Sequence, residues 1–374
     1  MRHLWIVLII LSGSFPWHLA TAQKVEQTIT AESQRYSLTV PGDWYVTNQA
    51  YLVGIQDLFP SESISVADSQ VTLETYGSQM NLDALSVPSG FSGAMVLGVI
   101  WPQGLLEAVG LTVESLGTTV SLALGFGVDN EEFSVPDLKG TLYKSSSDAG
   151  ELWAAVLGDK SGNGTILIAV SDAAHLADLE GVFTGIEYHV EVAQSVLDTE
   201  RLETELEVVS DSLAIDLPPG WWTLAAEGQL MTMPSFNWAF VEGFQTSQFE
   251  GTSGLVILAL PREKSDLPPE SYNPDGTLNP QAGAGLLNIG SALGLGDGEF
   301  QPLERAQVWT GSYELTGLSM VLGTADGNMI AYIVVIDGGD DLVMLVSMAS
   351  ADAWENYRPA IEAIFATARL LSEE

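Results

Sequence analysis

The chain of 374 residues contains no cysteine. That excludes disulfides, thiolate metal ligands and thiol nucleophiles at once, and it removes the residue to which a bacterial lipoprotein attaches its lipid. Basic residues are scarce as well: 12 Lys and Arg face 49 Asp and Glu, for a formal net charge of −37. A surface of that sign repels nucleic acid and anionic head groups and favours calcium, other cations or basic proteins as partners; it also keeps a protein dispersed in solution. Long apolar runs are missing beyond the first residues. Residues 94–101 and 330–336 have the length of strands, well short of the about 20 residues that a membrane helix needs.

The opening residues read as an export signal. Met1-Arg2-His3 is short and weakly basic, residues 4–11 are apolar, and Ala20-Thr21-Ala22 supplies the small residues that signal peptidase needs. A signal peptide over 1–22, cleaved after Ala22, predicts a mature protein that begins at Gln23. It is expected to be secreted, periplasmic or at the cell surface, with no stable membrane insertion. Cleavage removes Arg2 and no acid, so 11 basic residues then face 49 acidic ones and the formal charge becomes −38.

What is present is present twice. Tyr36-Ser37-Leu38-Thr39-Val40-Pro41-Gly42-Asp43-Trp44 returns as Leu213-Ala214-Ile215-Asp216-Leu217-Pro218-Pro219-Gly220-Trp221 at a constant offset of 177 residues. That period is too long for a solenoid and suits two globular domains of about 170 residues, each large enough to bury its own core. The predicted division is 23–190 and 201–374, joined by a short acidic linker at 191–200. Apolar alternation opens each copy with a hairpin, the proline ends its second strand, and Trp44 and Trp221 plug the cores.

Further along, residues 50–56 and 229–233 read as third strands and 94–101 and 255–260 as fourth strands. The first copy carries 16 more residues between them, including a polar surface excursion at 60–90. A helix follows in each copy, over 105–122 and 281–293, leaving through glycines that suit a helix C-terminus. Strands resume at 141–144, 152–157 and 165–170, and at 307–310, 315–322, 329–336 and 342–348, one more in the second copy. Leu176, Leu179, Phe183 and Ile186 in the closing helix match Trp354, Tyr357, Ile361 and Ile364 at an offset of 178, with Asp172 and Ser350 as matched N-caps. Tight turns between the strands predict an antiparallel meander, so the fold class is α+β with two tandem domains, each an antiparallel sheet packed with helices.

An opening hairpin ending in Pro-x-x-Trp (Pro41 and Trp44, Pro218 and Trp221), a helix, a meander and a docked closing helix resemble the PsbP-like α/β/α sandwich superfamily, once per copy. The resemblance implies an exported accessory or binding protein and no catalysis. It transfers no binding residue, because its four matching positions have structural roles. The missing cysteine departs from the lipoprotein members, and the duplication and acidity depart from the photosystem members.

Candidate chemistry is sparse. After cleavage only His175 and His189 remain, without an H-x-x-x-H partner, and they read as core or solvated residues. Gly251-Thr252-Ser253-Gly254-Leu255 misses the nucleophile elbow at its last residue, and Gly294-Leu295-Gly296-Asp297-Gly298 follows a helix where a phosphate loop would open one. Three acidic turns could hold calcium. Asn273, Asp275 and Asn279 imitate the middle of an EF-hand loop but have Ser271 and Ala282 at its ends; Asp337, Asp340 and Asp341 form a second turn, and Asp129, Glu131 and Glu132 a third. The aromatic group Trp221, Trp222, Trp238 and Phe240 reads as core, with a carbohydrate platform as the other reading if Trp222 faces outward.

These observations predict an exported binding or accessory protein without a cofactor, using a concave surface or interdomain groove to hold a protein, peptide or small molecule. Two other readings stand beside it: an extracellular hydrolase acting on glycans through a carboxylate pair, and a calcium-stabilised surface module.

Overall fold

The computed structural model describes residues 26–49, 51, 58–81, 85–125, 129–194, 197–208, 213–226, 229–246, 253–263, 269–276, 278–279, 300–337 and 341–371. The expected signal segment and the expected helix at 281–293 lie outside these residues.

The first half opens with the antiparallel hairpin β1 (Glu26–Thr30) and β2 (Tyr36–Pro41), turned at Gln34 with φ +57°. Next come β3 (Tyr45–Thr47), β4 (Ser63–Ala67), helix α1 (Gln70–Tyr76), β5 (Ala94–Trp101), α2 (Gln103–Ala108) and α3 (Val113–Leu124). Then follow β6 (Asp129–Val135), β7 (Leu138–Ser147), β8 (Gly150–Gly158), β9 (Gly164–Ser171), α4 (Leu176–Thr184), β10 (Ile186–Tyr188) and α5 (Val190–Gln194). A seven-stranded antiparallel sheet runs β3-β4-β5-β9-β8-β7-β6, and β1-β2-β10 forms a small second sheet. The uninterrupted apolar run of β5 is buried along its whole length because both faces are covered. On one face Gly164 lies against Leu106, Val113 and Leu116 of α2 and α3; on the other Gly98 lies against the Tyr36 hydroxyl of the small sheet, beside α4.

The second half repeats this order: β11 (Thr204–Val208), β12 (Leu213–Leu217), β13 (Trp222–Ala226), β14 (Gln229–Met233), α6 (Trp238–Thr246) and β15 (Leu255–Glu263). It continues with β16 (Phe300–Pro302), β17 (Gln307–Thr310), β18 (Thr316–Thr324), β19 (Met329–Asp337), β20 (Asp341–Ser350), α7 (Trp354–Ala366) and β21 (Arg369–Leu370). Its large sheet runs β13-β14-β15-β20-β19-β18-β16, with β17 also on β18, and its small sheet is β11-β12-β21. The match extends to single residues. Gly140 and Gly317 occupy the same crowded register, where a Cβ would lie 1.9 Å from the Val156 carbonyl oxygen and 2.3 Å from that of Val335. Glycine is the one residue either sheet accepts there.

Several sequence expectations change. The excursion at 60–90 contains β4, a fully buried inner strand, and α1; alternating Ser63, Ser65 and Ile64, Val66 disguised a strand covered on both faces. The third strand expected at 50–56 falls mostly outside the described residues, and β4 occupies its place beside β5, as β14 does beside β15. Eleven of the 16 extra residues of the first copy lie between β3 and β4 and five between β4 and β5. The single helix expected over 105–122 is two, broken at Gly110 with φ +71° and restarted by a capping box of Thr112 and Ser115. Asp129, Glu131 and Glu132 belong to the edge strand β6 and form no turn, so the strand at 307–310 has a counterpart in the first half; the second sheet still has eight described strands to seven, because β16 and β17 both pair with β18. His175 and Ala353, not Asp172 and Ser350, occupy the N-cap positions of α4 and α7.

The largest change concerns the core. Trp44 and Trp221 are buried as expected, at 5% and 2% exposure. The hydrophobic interior of the first half, however, runs without a break into one face of the second half's sheet, through Trp222, Leu224, Phe240, Val256, Leu258 and Val346. The other face, covered by α7 and the small sheet, forms a separate cluster around Trp221, Ile257, Ile361 and Phe365. The division is therefore two cores, one of which the halves share.

Candidate functional site

The acidic turns proposed for calcium are placed as follows. Residues 271–279 close on themselves through a Tyr272–Leu278 bridge. The Asn279 amide donates to the Ser271 carbonyl at 2.7 Å, the Gly276 amide to the Asn273 carbonyl at 2.9 Å, and the Asn273 side chain to the Leu278 carbonyl at 3.3 Å; Asp275 is exposed. Asp337 ends β19 and Asp341 starts β20, while Asp340 lies outside the described residues. Among the described residues no group of three or more His, Asp or Glu is arranged to hold a metal ion.

His175 sits where β4 and β9 end and β5 and α4 begin. Its Nδ1 is 2.8 Å from Asp172 Oδ1 and its Nε2 is 4.0 Å from Asp68. The Gly93 amide donates to Asp172 Oδ2 at 2.8 Å, and Ala174 donates to Oδ1 at 2.9 Å. Gly93 has φ +111°, and a Cβ there would meet the Asp68 carboxylate at 2.5 Å. Burial alone would raise the Asp172 carboxyl, but the bonds from His175 and the two amides outweigh it and hold it below the usual Asp range. His189 donates its backbone amide to the Arg35 carbonyl at 2.8 Å and places Nε2 3.1 Å from Ser37 Oγ. Both histidines thus fasten strand ends, His175 against a carboxylate and His189 against a serine, and among the described residues neither is shown joining both in one catalytic set.

Arg35 is the polar centre of the junction between the halves. It is 2% exposed, and its Nε donates to Oε1 of fully buried Glu62 at 3.1 Å. Its Nη2 donates to the Gly220 carbonyl of the second half, and its guanidinium lies 3.8 Å from the Trp222 ring centroid. The Gly220 amide donates to the Ser33 carbonyl at 2.8 Å, and Phe59 meets Trp222 and Phe236 edge-on at 6.0 and 6.1 Å. Burial pushes the Glu62 carboxyl above the usual range, and the neighbouring guanidinium offsets only part of that. Trp222, at 5% exposure, is therefore no carbohydrate platform, and at this place the expected interdomain groove is filled.

A third polar group lies on the α7 face of the second half. The break in the sheet edge between β16 and β17 brings Glu304 and Arg305 opposite Arg358 and Glu362 of α7, around a cavity of about 100 Å³ that is open to solvent and lies over Ser319, Val321 and Tyr332. Arg358 donates to Glu304 at 2.8 and 3.4 Å and to Glu362 at 2.9 Å. These bonds, that to Glu304 first, raise the Arg358 pKa further, so the guanidinium stays charged. Both carboxylates are engaged in holding it. No sequence pattern marked this group, because its residues come from a bulge, two strands and a helix.

No protein-family profile matches the chain, and no curated protein matches it. Among solved structures, cyanobacterial PsbP from Synechocystis is similar over 44% of this chain and 91% of its own, with 10% identity and a TM-score of 0.31. The Ran-binding protein Mog1p of Saccharomyces cerevisiae is similar over 45% of this chain and 95% of its own, with 12% identity and a TM-score of 0.29. A Bacteroides thetaiotaomicron protein covers 55% of this chain and 88% of its own, with 7% identity and a TM-score of 0.25.

Proposed function

We propose that the chain is an exported binding or accessory protein without catalytic activity, built from two tandem PsbP-like units. The observation that carries this reading is the contrast between occupied chemistry and open space. The histidines and the paired carboxylates are engaged in bonds that hold the fold, while the α7 face keeps a polar cavity. Equal strand order and register in the two halves support the tandem reading. A thermal-shift screen of small polar compounds on the full chain tests the binding role. A ligand at 100 times its dissociation constant adds about 2.7 kcal/mol of stability, which reads out as a raised midpoint. Turnover of a glycan that disappears in Glu304→Gln or Glu362→Gln would overturn the proposal in favour of a hydrolase.

A further inference from the structure

The cavity on the α7 face has a counterpart in the first half that is closed, and the difference shows what the second half gained. Counting from the matched glycines Gly140 and Gly317, the positions of Leu142 and Lys144 are taken by Ser319 and Val321. Lys144 pairs across strands with Trp153 as Val321 pairs with Tyr332. In the first half Trp153 packs edge-on against Phe183 of α4 at 5.7 Å, and Lys144 lies 4.4 Å from the indole centroid while bonding Glu131 at 2.7 Å. Every one of the three residues is smaller in the second half, and the space released is the cavity.

The lining decides what that space accepts. Arg358 is engaged by Glu304 and Glu362, but Arg305, on the rim, is exposed and makes no ion pair among the described residues. Tyr332 is 9% exposed and stacked on Phe365 at 5.6 Å. Burial raises its pKa, so its phenol keeps its proton and donates. Its hydroxyl bonds that of Ser319, so the pair has one hydroxyl hydrogen left to donate, and it shares with the Arg305 guanidinium the lining of a volume that about three waters would fill. Two glutamates in the walls disfavour a second negative charge.

We propose that this cavity binds a small monocarboxylate, of acetate to glycine size, with Arg305 as its charge partner and the bonded Tyr332–Ser319 hydroxyl pair supplying one donor. The proposal rests on the binding role above and gives it a ligand class. Acetate, glycine, succinate and methylammonium are titrated into the full chain by calorimetry, with Arg305→Ala and Ser319→Leu as variants. Acetate or glycine is expected to bind in the millimolar range and succinate more weakly. Arg305→Ala is expected to weaken binding about tenfold or more, the weight of one bond to a charged group. Ser319→Leu, which restores the first half's residue, is expected to abolish binding while the protein still unfolds cooperatively. Binding of methylammonium without acetate or glycine overturns the ligand class and leaves the binding role standing. Acetate affinity unchanged in Arg305→Ala, or no binding of either carboxylate, overturns the site.

Discussion

Arg35 and Arg358 are both guanidiniums held by glutamate, one at the junction of the halves and one on the face of the second. Arg35 and Glu62 are 2% and 0% exposed, whereas Arg358, Glu304 and Glu362 are 33%, 37% and 48% exposed. Where water is sealed out, losing one partner strands a charge, which costs about 3–5 kcal/mol. Where water enters, the same chemistry is worth about 0–1 kcal/mol and leaves neighbouring groups such as Arg305 open to solvent. The difference separates a fastening from a surface that can receive a ligand.

The largest effect that would break this comparison is Arg35→Ala. It should lower the unfolding free energy by about 3–5 kcal/mol in urea titration; a loss below about 1 kcal/mol would make the junction an ordinary contact. Glu62→Gln keeps an acceptor for Arg35 and should cost about 2 kcal/mol at neutral pH. Its pH profile sharpens the point. The Glu62 pKa is raised in the fold, so its contribution is present below the usual Glu value of 4.5 and is lost as pH rises through the folded value. Glutamine removes that loss, so the variant should gain on the wild type as pH increases. If the gap is constant across that window, Glu62 does not titrate as described.

Asp172→Asn tests a half-buried carboxylate between these extremes. It should cost about 1 kcal/mol at neutral pH by calorimetry. The Asp172 pKa is depressed, so its contribution is present above the usual 3.8 and disappears as pH falls through the folded value; the two proteins should converge in acid. The smallest effect belongs to Arg358→Ala, less than about 1 kcal/mol and shrinking with added salt. A loss as large as that of Arg35→Ala would erase the distinction between the two sites.

The repeat, the plugging tryptophans and the closing helices were legible because burial on one face imposes a period on apolar residues, but Ile186, counted with the first closing helix, lies in β10, since that helix stops at Thr184 while its counterpart runs on through Ile364 to Ala366. The strand β4 was not, since Ser63 and Ser65 are buried as deeply as Ile64 and Val66 and leave no contrast to read. The edge strand β6 was misread for the opposite reason: Asp129, Glu131 and Glu132 point to solvent on an open edge, where charge guards against pairing with another sheet. The junction escaped notice because a lone arginine has no period. Arg35 meets its carbonyl partner across 185 residues of sequence. The merging of one core across both halves was hidden likewise, because alternation shows that a face is buried and is silent on what buries it.

That separation has a temporal side. A ribosome adding about 5–20 residues per second needs about 9–37 s to travel from Arg35 to Gly220. Through that interval the nascent first half carries Phe59 and a charged side chain with no lid over them, so the chain completes its interior only when its second copy has arrived.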